Sequence, residues 1–388
     1  LTPKSPVAAA AAVATAAIAA SGWLAVAGGG VARAEDHVTV RGIYFREAST
    51  RVVQPVADLS KDLPTGGDVF AHYLLDAITS ASAAAGPVGD NIFTEYRNEA
   101  GLGYGHTFLS RYRVAAAYKY SAESDYWSHT GILSGSARLW QDTATLAASF
   151  GVGRDQVGRR GQAAPVDPMG RCLPSPTVTC PLNTVFGSVA YSQILSPTVL
   201  VQVGYEMAWL SGYLASPYRM ETVPDLRVRN SVSARVAKYF PDVRTGLQLH
   251  YRYYWDAYPG TAPDGMDDPW GLSTHTVEVR LYQRIGRDLE LRLAARHYPQ
   301  GPVNFWCDLG VNPSCNINQL YMGNSPQLGH VTTNYFEGKI YWDATALREV
   351  PFLGWFSTGT FELSYGRLLQ DTTYGNAHVL HTGYHFPF

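Results

Sequence analysis

After Ala34 the 388-residue sequence lacks any run of about 18 uninterrupted apolar residues, so it has no segment that crosses a bilayer as a helix. It also lacks a dominant charge: the net charge is −2 and only 16% of residues are charged, which excludes the global field of a nucleic-acid binder. Cysteine is scarce, four in all, with neither the dense Cys/His grouping of a zinc site nor a C-x-x-C-H haem motif. No short fixed repeat is present, which argues against a β-helix. What the sequence does have is 25 Tyr, 9 Trp and 37 Gly, a mixture suited to strands, turns and interfacial aromatic belts.

Residues 1–34 read as an export signal. Between Lys4 and Arg33 there is no charge, Ala dominates, and Ala32-Arg33-Ala34 offers a small-x-small cleavage site. The competing reading of this stretch is a retained membrane anchor. The mature chain is then 35–388, one domain with no linker or composition break. Cysteines spaced alike in two loops, Cys172 with Cys180 and Cys307 with Cys315, predict two small disulfide loops formed in an oxidising compartment.

The dominant period is two. In "THTVEVRLYQRI" (274–285), Val277, Val279 and Leu281 alternate with Glu278, Arg280 and Tyr282. After "GRD" the alternation resumes in "LELRLAARHY", with one apolar face and one charged face. The expected strands run over 37–47, 50–60, 66–78, 93–107, 110–123, 126–140, 143–155, 183–195, 198–211, 227–240, 243–257, 272–286, 288–300, 333–347, 356–370 and 376–388. A tilted strand needs roughly 9–11 residues to span a bilayer, and these are long enough. Tight turns at Ser196-Pro197, Pro241-Asp242 and Gly286-Arg287-Asp288 are expected to alternate strictly with long connections near 156–183, 212–226, 257–271 and 301–333. The fold class is therefore all-β: a transmembrane antiparallel up-and-down barrel of about sixteen strands (fourteen to eighteen), with short periplasmic turns and long extracellular loops in the outer membrane. A secreted soluble β-protein is the alternative. Aromatics near strand ends, Tyr118, Trp127, Trp209, Trp255 and Trp342 among them, favour the membrane.

Seven segments resemble a bacterial family known as domain of unknown function 3570: "HYLLDAITSAS" (72–82), "YSAESDYWS" (120–128), "SGYLASPYR" (211–219), "VPDLRVRNSV" (223–232), "YRYYWDAY" (251–258), "DDPWGLSTHT" (267–276) and "RHYPQGPVNFW" (296–306). The sequence departs from the family in the insertion "PGTAPDGM". The resemblance implies an outer-membrane barrel and implies no reaction.

Alternation assigns the lumen. Arg227, Arg229, Arg235, Arg244, Arg252, Arg280, Arg284, Arg292 and Arg296 fall inward, opposed within the same wall only by Asp256, Glu278 and Glu290. Glu95 and Glu99 fall inward on the facing wall, beside Arg97. Such walls predict a porin-like, mildly anion-favouring path for small polar solutes. The competing expectation is a cross-strand network that fills or plugs the interior, leaving a barrel that works as a binding or assembly partner through its stapled loops. An outer-membrane enzyme comes third: His250 falls inward and His275 and His297 outward, with no Ser/Asp constellation around them. His381 and His385 share a face but sit roughly 13 Å apart as an i,i+4 strand pair. No cofactor is expected, and a loop Ca²⁺ site at Asp264, Asp267 and Asp268 is a weak candidate. The terminal "HVLHTGYHFPF" puts Tyr384, Phe386 and Phe388 toward lipid, resembles the signal that barrel-assembly machinery recognises, and must pair with the strand beginning near His37. Outer-membrane lipid and lipopolysaccharide complete the expected surroundings.

Overall fold

The computed structural model describes residues 36–48, 50–81, 92–160, 170–218, 221–263, 265, 267–307, 320–323 and 325–388; the expected signal at 1–34 lies outside them. Sixteen strands follow one another in chain order: β1 (His37–Arg46), β2 (Thr50–Asp62), β3 (Gly67–Ala81), β4 (Ile92–Phe108), β5 (Tyr112–Ala122), β6 (Tyr126–Leu139), β7 (Ala144–Val157), β8 (Cys180–Ser196), β9 (Val199–Gly212), β10 (Leu226–Phe240), β11 (Thr245–Ala257), β12 (Ser273–Ile285), β13 (Leu289–Gln300), β14 (Val331–Asp343), β15 (Thr360–Gln370) and β16 (Ala377–Pro387). Each pairs antiparallel with its neighbours, and β1 pairs with β16 from His37↔Pro387 to Arg46↔His378, so the sheet closes. Among the described residues no helix is long and apolar enough to cross a membrane.

Period-two sequence explains the closed form. One face of every strand is apolar and points outward, where Leu102, Phe150, Val203, Val232, Leu249 and Leu363 stand exposed. Outward apolar side chains in such numbers suit hydrocarbon, not water. Two aromatic belts bound this band. At the end that holds the start of β1 and the end of β16 (the closing end), Trp342 stacks on Phe361, and Phe361 meets Tyr384 at 4.5 Å. Toward the other end (the loop end), tyrosine hydroxyls pair with ring nitrogens across strands: Tyr118 with His129 at 2.5 Å, Tyr251 with His275 at 2.7 Å and Tyr365 with His378 at 2.7 Å. An amphipathic ring with a satisfied polar tip belongs where hydrocarbon meets headgroups.

The expected strict alternation of short and long connections fails in both directions. At the loop end, 47–49, 123–125 and 371–376 are short. At the closing end, 344–359 is long and folds into two 3₁₀ turns, Ala344–Glu349 and Gly354–Thr358. The Ala344 N–H closes it by donating to the Gly359 carbonyl at 3.0 Å, and the barrel wall holds it: the Tyr384 hydroxyl donates to the Phe356 carbonyl at 2.8 Å, and the Phe356 ring packs edge-on against Tyr384. Loop length reports which contacts a connection makes as much as which side of the membrane it occupies.

Inside, aromatic rings fold over lumen-facing glycines on the neighbouring strand. Phe186 lies directly across from Gly151, and a Cβ at Gly151 would run into the Phe186 ring. Ring and wall cannot both stay in place. Gly151→Val is expected to destabilise the barrel by about 1–3 kcal/mol through overpacking, read by urea unfolding in lipid vesicles. Adding Phe186→Ala should recover part of the loss, as a double-mutant cycle would show.

Candidate functional site

The loop end of the lumen is where the described loops meet. Connections 213–225, 258–272 and 301–330 bring Val223, Ala262, Trp270, Leu272, Val303, Phe305 and Tyr321 into one apolar core. This core does not splay outward. It packs on Tyr254, whose place two residues before Asp256 puts it on the inner face of β11, and Trp270 is only 1% exposed. Backbone pairs hold the loops together, with Thr222 and Met322 exchanging N–H···O bonds at 2.8 and 2.7 Å. Arg171, from the connection before β8, donates to the Val223 carbonyl at 2.6 Å.

One charged pair anchors the core to the wall. Arg227 and Asp256 meet at 2.5 Å, and both are buried. The Arg227 guanidinium lies 4.1 Å from the Trp270 ring centre, a desolvated cation–π contact. The Trp270 indole N–H donates to the Leu226 carbonyl at 2.8 Å, and the Tyr254 hydroxyl donates to Asp256. Asp268 shapes the turn beneath: its carboxylate accepts from the Trp270 N–H at 3.1 Å and its carbonyl from the Asn304 amide at 2.7 Å. That commits Asp268 to loop structure. Asp264, the partner expected of it in a calcium loop, lies outside the described residues.

A second contact crosses the mouth. Tyr218, in the connection after β9, donates its hydroxyl to Asp125, between β5 and β6. Arg160 supports the same hydroxyl with its backbone N–H at 3.1 Å and pairs with Glu95 at 2.6 Å. Here three carboxylates, Glu95, Glu123 and Asp125, offer oxygens within 4.8 Å of one another, all buried. Burial, with Glu95 close by, lifts Glu123 to about 8 and Asp125 to about 6; Arg97 and Arg160 pull the other way without prevailing.

Register places the remaining charges on one face. Arg229, Arg235, Arg252, Arg280, Arg292 and Arg296 lie on the face opposite the exposed apolar residues of β10 to β13, together with Glu278 and Glu290. Several are paired: Arg292 with Glu337 at 2.9 Å, Arg252 with Glu206 at 3.4 Å, Arg280 with Glu278. Arg284 sits near the closing end, 4.0 Å from Asp343. Arg244 does not belong to the wall. It caps the turn Pro241–Val243 in a left-handed conformation (φ 52°) and reaches the Gly286 carbonyl, because the chain reverses one residue before β11 begins. On the other wall Arg97 pairs with Asp76 and Lys119 meets Glu99 at 3.2 Å. Alternation in the sequence did not single out Asp68, Asp76, Glu123, Asp125 or Asp155, although parity with Glu95 and Glu99 across the registers would have found the strand residues among them.

All seven segments of the family resemblance supply residues to this mouth or to the strand ends that frame it. The family model described as protein of unknown function (DUF3570) matches residues 181–325. That range holds the loop core and the Arg227–Asp256 pair; the segments at 72–82 and 120–128 precede it. No curated protein is matched by the sequence. Among solved structures, one described as a bacterial polysaccharide outer membrane secretin aligns with TM-score 0.51 at 9% identity, over 91% of this chain and 99% of that chain. CdiB from Acinetobacter baumannii aligns with TM-score 0.51 at 8% identity, over 91% of this chain and 60% of that one. OccD3 (OpdP) of Pseudomonas aeruginosa gives TM-score 0.45 at 11% identity, over 93% of each. The first two show the fold: a closed barrel of the outer-membrane kind.

The disulfide Cys172–Cys180 closes the connection before β8, with Cys180 opening that strand. Cys307 is also disulfide-bonded; Cys315, its expected partner, lies outside the described residues.

Two outcomes follow. Removing Asp256 strands a buried guanidinium, so Asp256→Ala is expected to cost about 3–5 kcal/mol locally. The readout is faster protease cleavage within 258–272 and 301–330 while the barrel keeps its heat-modifiable migration on gels. The carboxylate cluster should make the mouth pH-sensitive. Glu123 and Asp125 titrate higher folded than unfolded, so the folded state holds more protons between about pH 4 and 8, and stability falls as pH rises through that window. In metal-free buffer, hydrogen-exchange protection around 123–125 and 213–218, taken relative to the intrinsic exchange rate at each pH, should be greater at pH 5 than at pH 8.5, and Glu123→Gln should flatten the difference.

Proposed function

We propose that the barrel is an outer-membrane channel for small polar solutes, with a mild preference for anions, whose passage is restricted by the loop core at its mouth. The observation that carries this reading is the sorting of charge around the ring. In a ring of sixteen, β4 faces β12. The wall of β10 to β13 carries an excess of arginine, whereas on the wall of β3 to β7 the carboxylates Asp68, Asp76 and Glu99 are balanced by Arg113, Arg97 and Lys119. A wall with excess positive charge facing a nearly balanced one creates a transverse field that orients and selects small charged solutes.

On this reading the closing end faces the periplasm and the Tyr384–Phe386–Phe388 pattern serves assembly-machinery recognition, with lipid and lipopolysaccharide around the belts. A second reading has its own support. The interlocked loops and the buried Arg227–Asp256 anchor suit a plugged barrel that presents its stapled loops to a partner.

Planar-bilayer recording of the refolded chain separates the two. The channel reading expects discrete conductance steps with an anion-leaning reversal potential. Arg235→Glu with Arg280→Glu should move that potential toward cation preference, and Trp270→Ala should lengthen open times by loosening the core. A folded barrel that gives no steps, with Trp270→Ala equally silent, rejects the channel and leaves the plugged barrel.

A further inference from the structure

The mouth holds a group of side chains whose convergence neither reading uses. Glu95, Glu123 and Asp125 converge with oxygens no more than 4.8 Å apart and every one of them buried. Packing three carboxylates together without compensation is costly, because each loses water and repels the others. The compensation visible around them is partial. Glu95 has Arg160 and the Ser124 hydroxyl, and Asp125 has the Tyr218 hydroxyl. Arg97, the next cation, is engaged by Asp76. Glu123 is different: it is 6% exposed, and among the described residues its Oε2 is buried with no hydrogen-bond partner. An unpartnered carboxylate oxygen, aimed at two other carboxylates and sealed from water, marks a position where a cation belongs.

We infer that Glu95, Glu123 and Asp125 form a calcium site at the loop end of the lumen, which pins the Tyr218 strap across the barrel mouth. Charge fits: three carboxylates less the one positive charge of Arg160 leave two, the charge of a divalent ion. Ligand type fits, since the donors are all oxygen, with neither imidazole nor thiolate to favour zinc or copper. Burial favours calcium over magnesium. Mg²⁺ dehydrates reluctantly and usually keeps several waters, whereas Ca²⁺ accepts protein oxygens in a flexible geometry. Three carboxylates that are all buried suit the ion that gives up its water more readily. The position also gives the ion a task. Asp125 accepts the Tyr218 hydroxyl and Glu95 accepts Arg160, so fixing the carboxylates fixes both loop contacts that meet them. Arg160, with its side chain 45% exposed, stands between the cluster and solvent and marks the way in. The inference stands apart from conduction, since a silent barrel would bind the ion equally well.

The alternative is that the cluster holds only a shared proton. The test uses the full mature chain refolded in detergent, stripped of metal, at pH 7.5. Calcium chloride titrated calorimetrically, with magnesium chloride in parallel, is expected to show one Ca²⁺ per barrel, Mg²⁺ at least about tenfold weaker, and a higher thermal midpoint with calcium. Terbium in place of calcium should give Tyr-sensitised luminescence that calcium competes away, because the Tyr218 hydroxyl touches a ligand. Glu123→Gln and Asp125→Asn should each weaken calcium binding at least about tenfold while heat-modifiable migration shows the barrel intact. Absence of saturable calcium binding by folded wild-type protein overturns the inference in favour of the proton. Binding that both variants retain overturns it by placing the ion elsewhere.

Discussion

Backbone hydrogen bonding in a medium without water is the constraint from which the rest of this molecule follows. A strand facing lipid has no solvent to satisfy its N–H and C=O groups, so no edge can be left open. The β1–β16 ladder meets that demand over the whole length of both strands. Once the sheet is closed, every second side chain must face hydrocarbon and every other one the interior. Outward positions are then filled by Leu, Val and aromatics, and inward ones are free to carry charge. The two belts of Tyr, Trp and His follow from the same division, since a ring with one polar tip is at ease only where the two media meet.

The interior has its own problem, which is to hold many charges in a narrow space. Away from the loop core arginines such as Arg252 and Arg284 stay exposed, and pairs such as Arg252–Glu206 are open enough to be worth little in stability. At the loop end water is excluded and the same chemistry becomes decisive. Arg227 there is satisfied by Asp256 on one side and by the Trp270 ring on the other. That triple contact converts three connections with little secondary structure into a core resting on the lumen wall. The packed end and the wet end are therefore consequences of where apolar loop residues dock, not of different strand chemistry.

This division explains what could be read from the sequence. Strand number, order and closure were legible because period-two alternation is local: twelve residues such as 274–285 reveal a strand and its inner face without reference to any partner. The inward arginines of β10 to β13 followed from the same parity. Arg244 was misplaced because parity says nothing about where a turn ends. The loop core was illegible for a different reason. Trp270, Phe305 and Val223 come from three connections separated by long stretches of chain, carry no periodicity, and meet only because closure brings β9 to β14 side by side. The seven segments noticed as a family resemblance held the information as residue identity, not as pattern. The carboxylate cluster was hidden by dispersal: Glu95 lies on β4, while Glu123 and Asp125 lie in a short connection where alternation stops.

The position of the loop core bears on how such a barrel would pass anything at all. A lid hinged on flexible connections could swing away as a unit, but this one is tied at several kinds of contact. It is bonded to its own neighbours through Thr222 and Met322, to β10 and β11 through Arg227 and Asp256, and to the β5–β6 connection, four strands further round the ring, through Tyr218 and Asp125. The first two keep the core on the arginine wall. Only the third leaves the arginine wall, and it ends on a carboxylate whose neighbours repel it. Whatever balances that repulsion, a proton or a cation, sets how firmly that contact holds. The barrel's least compensated charges thus lie at the one contact whose release would widen the mouth without unfolding the core.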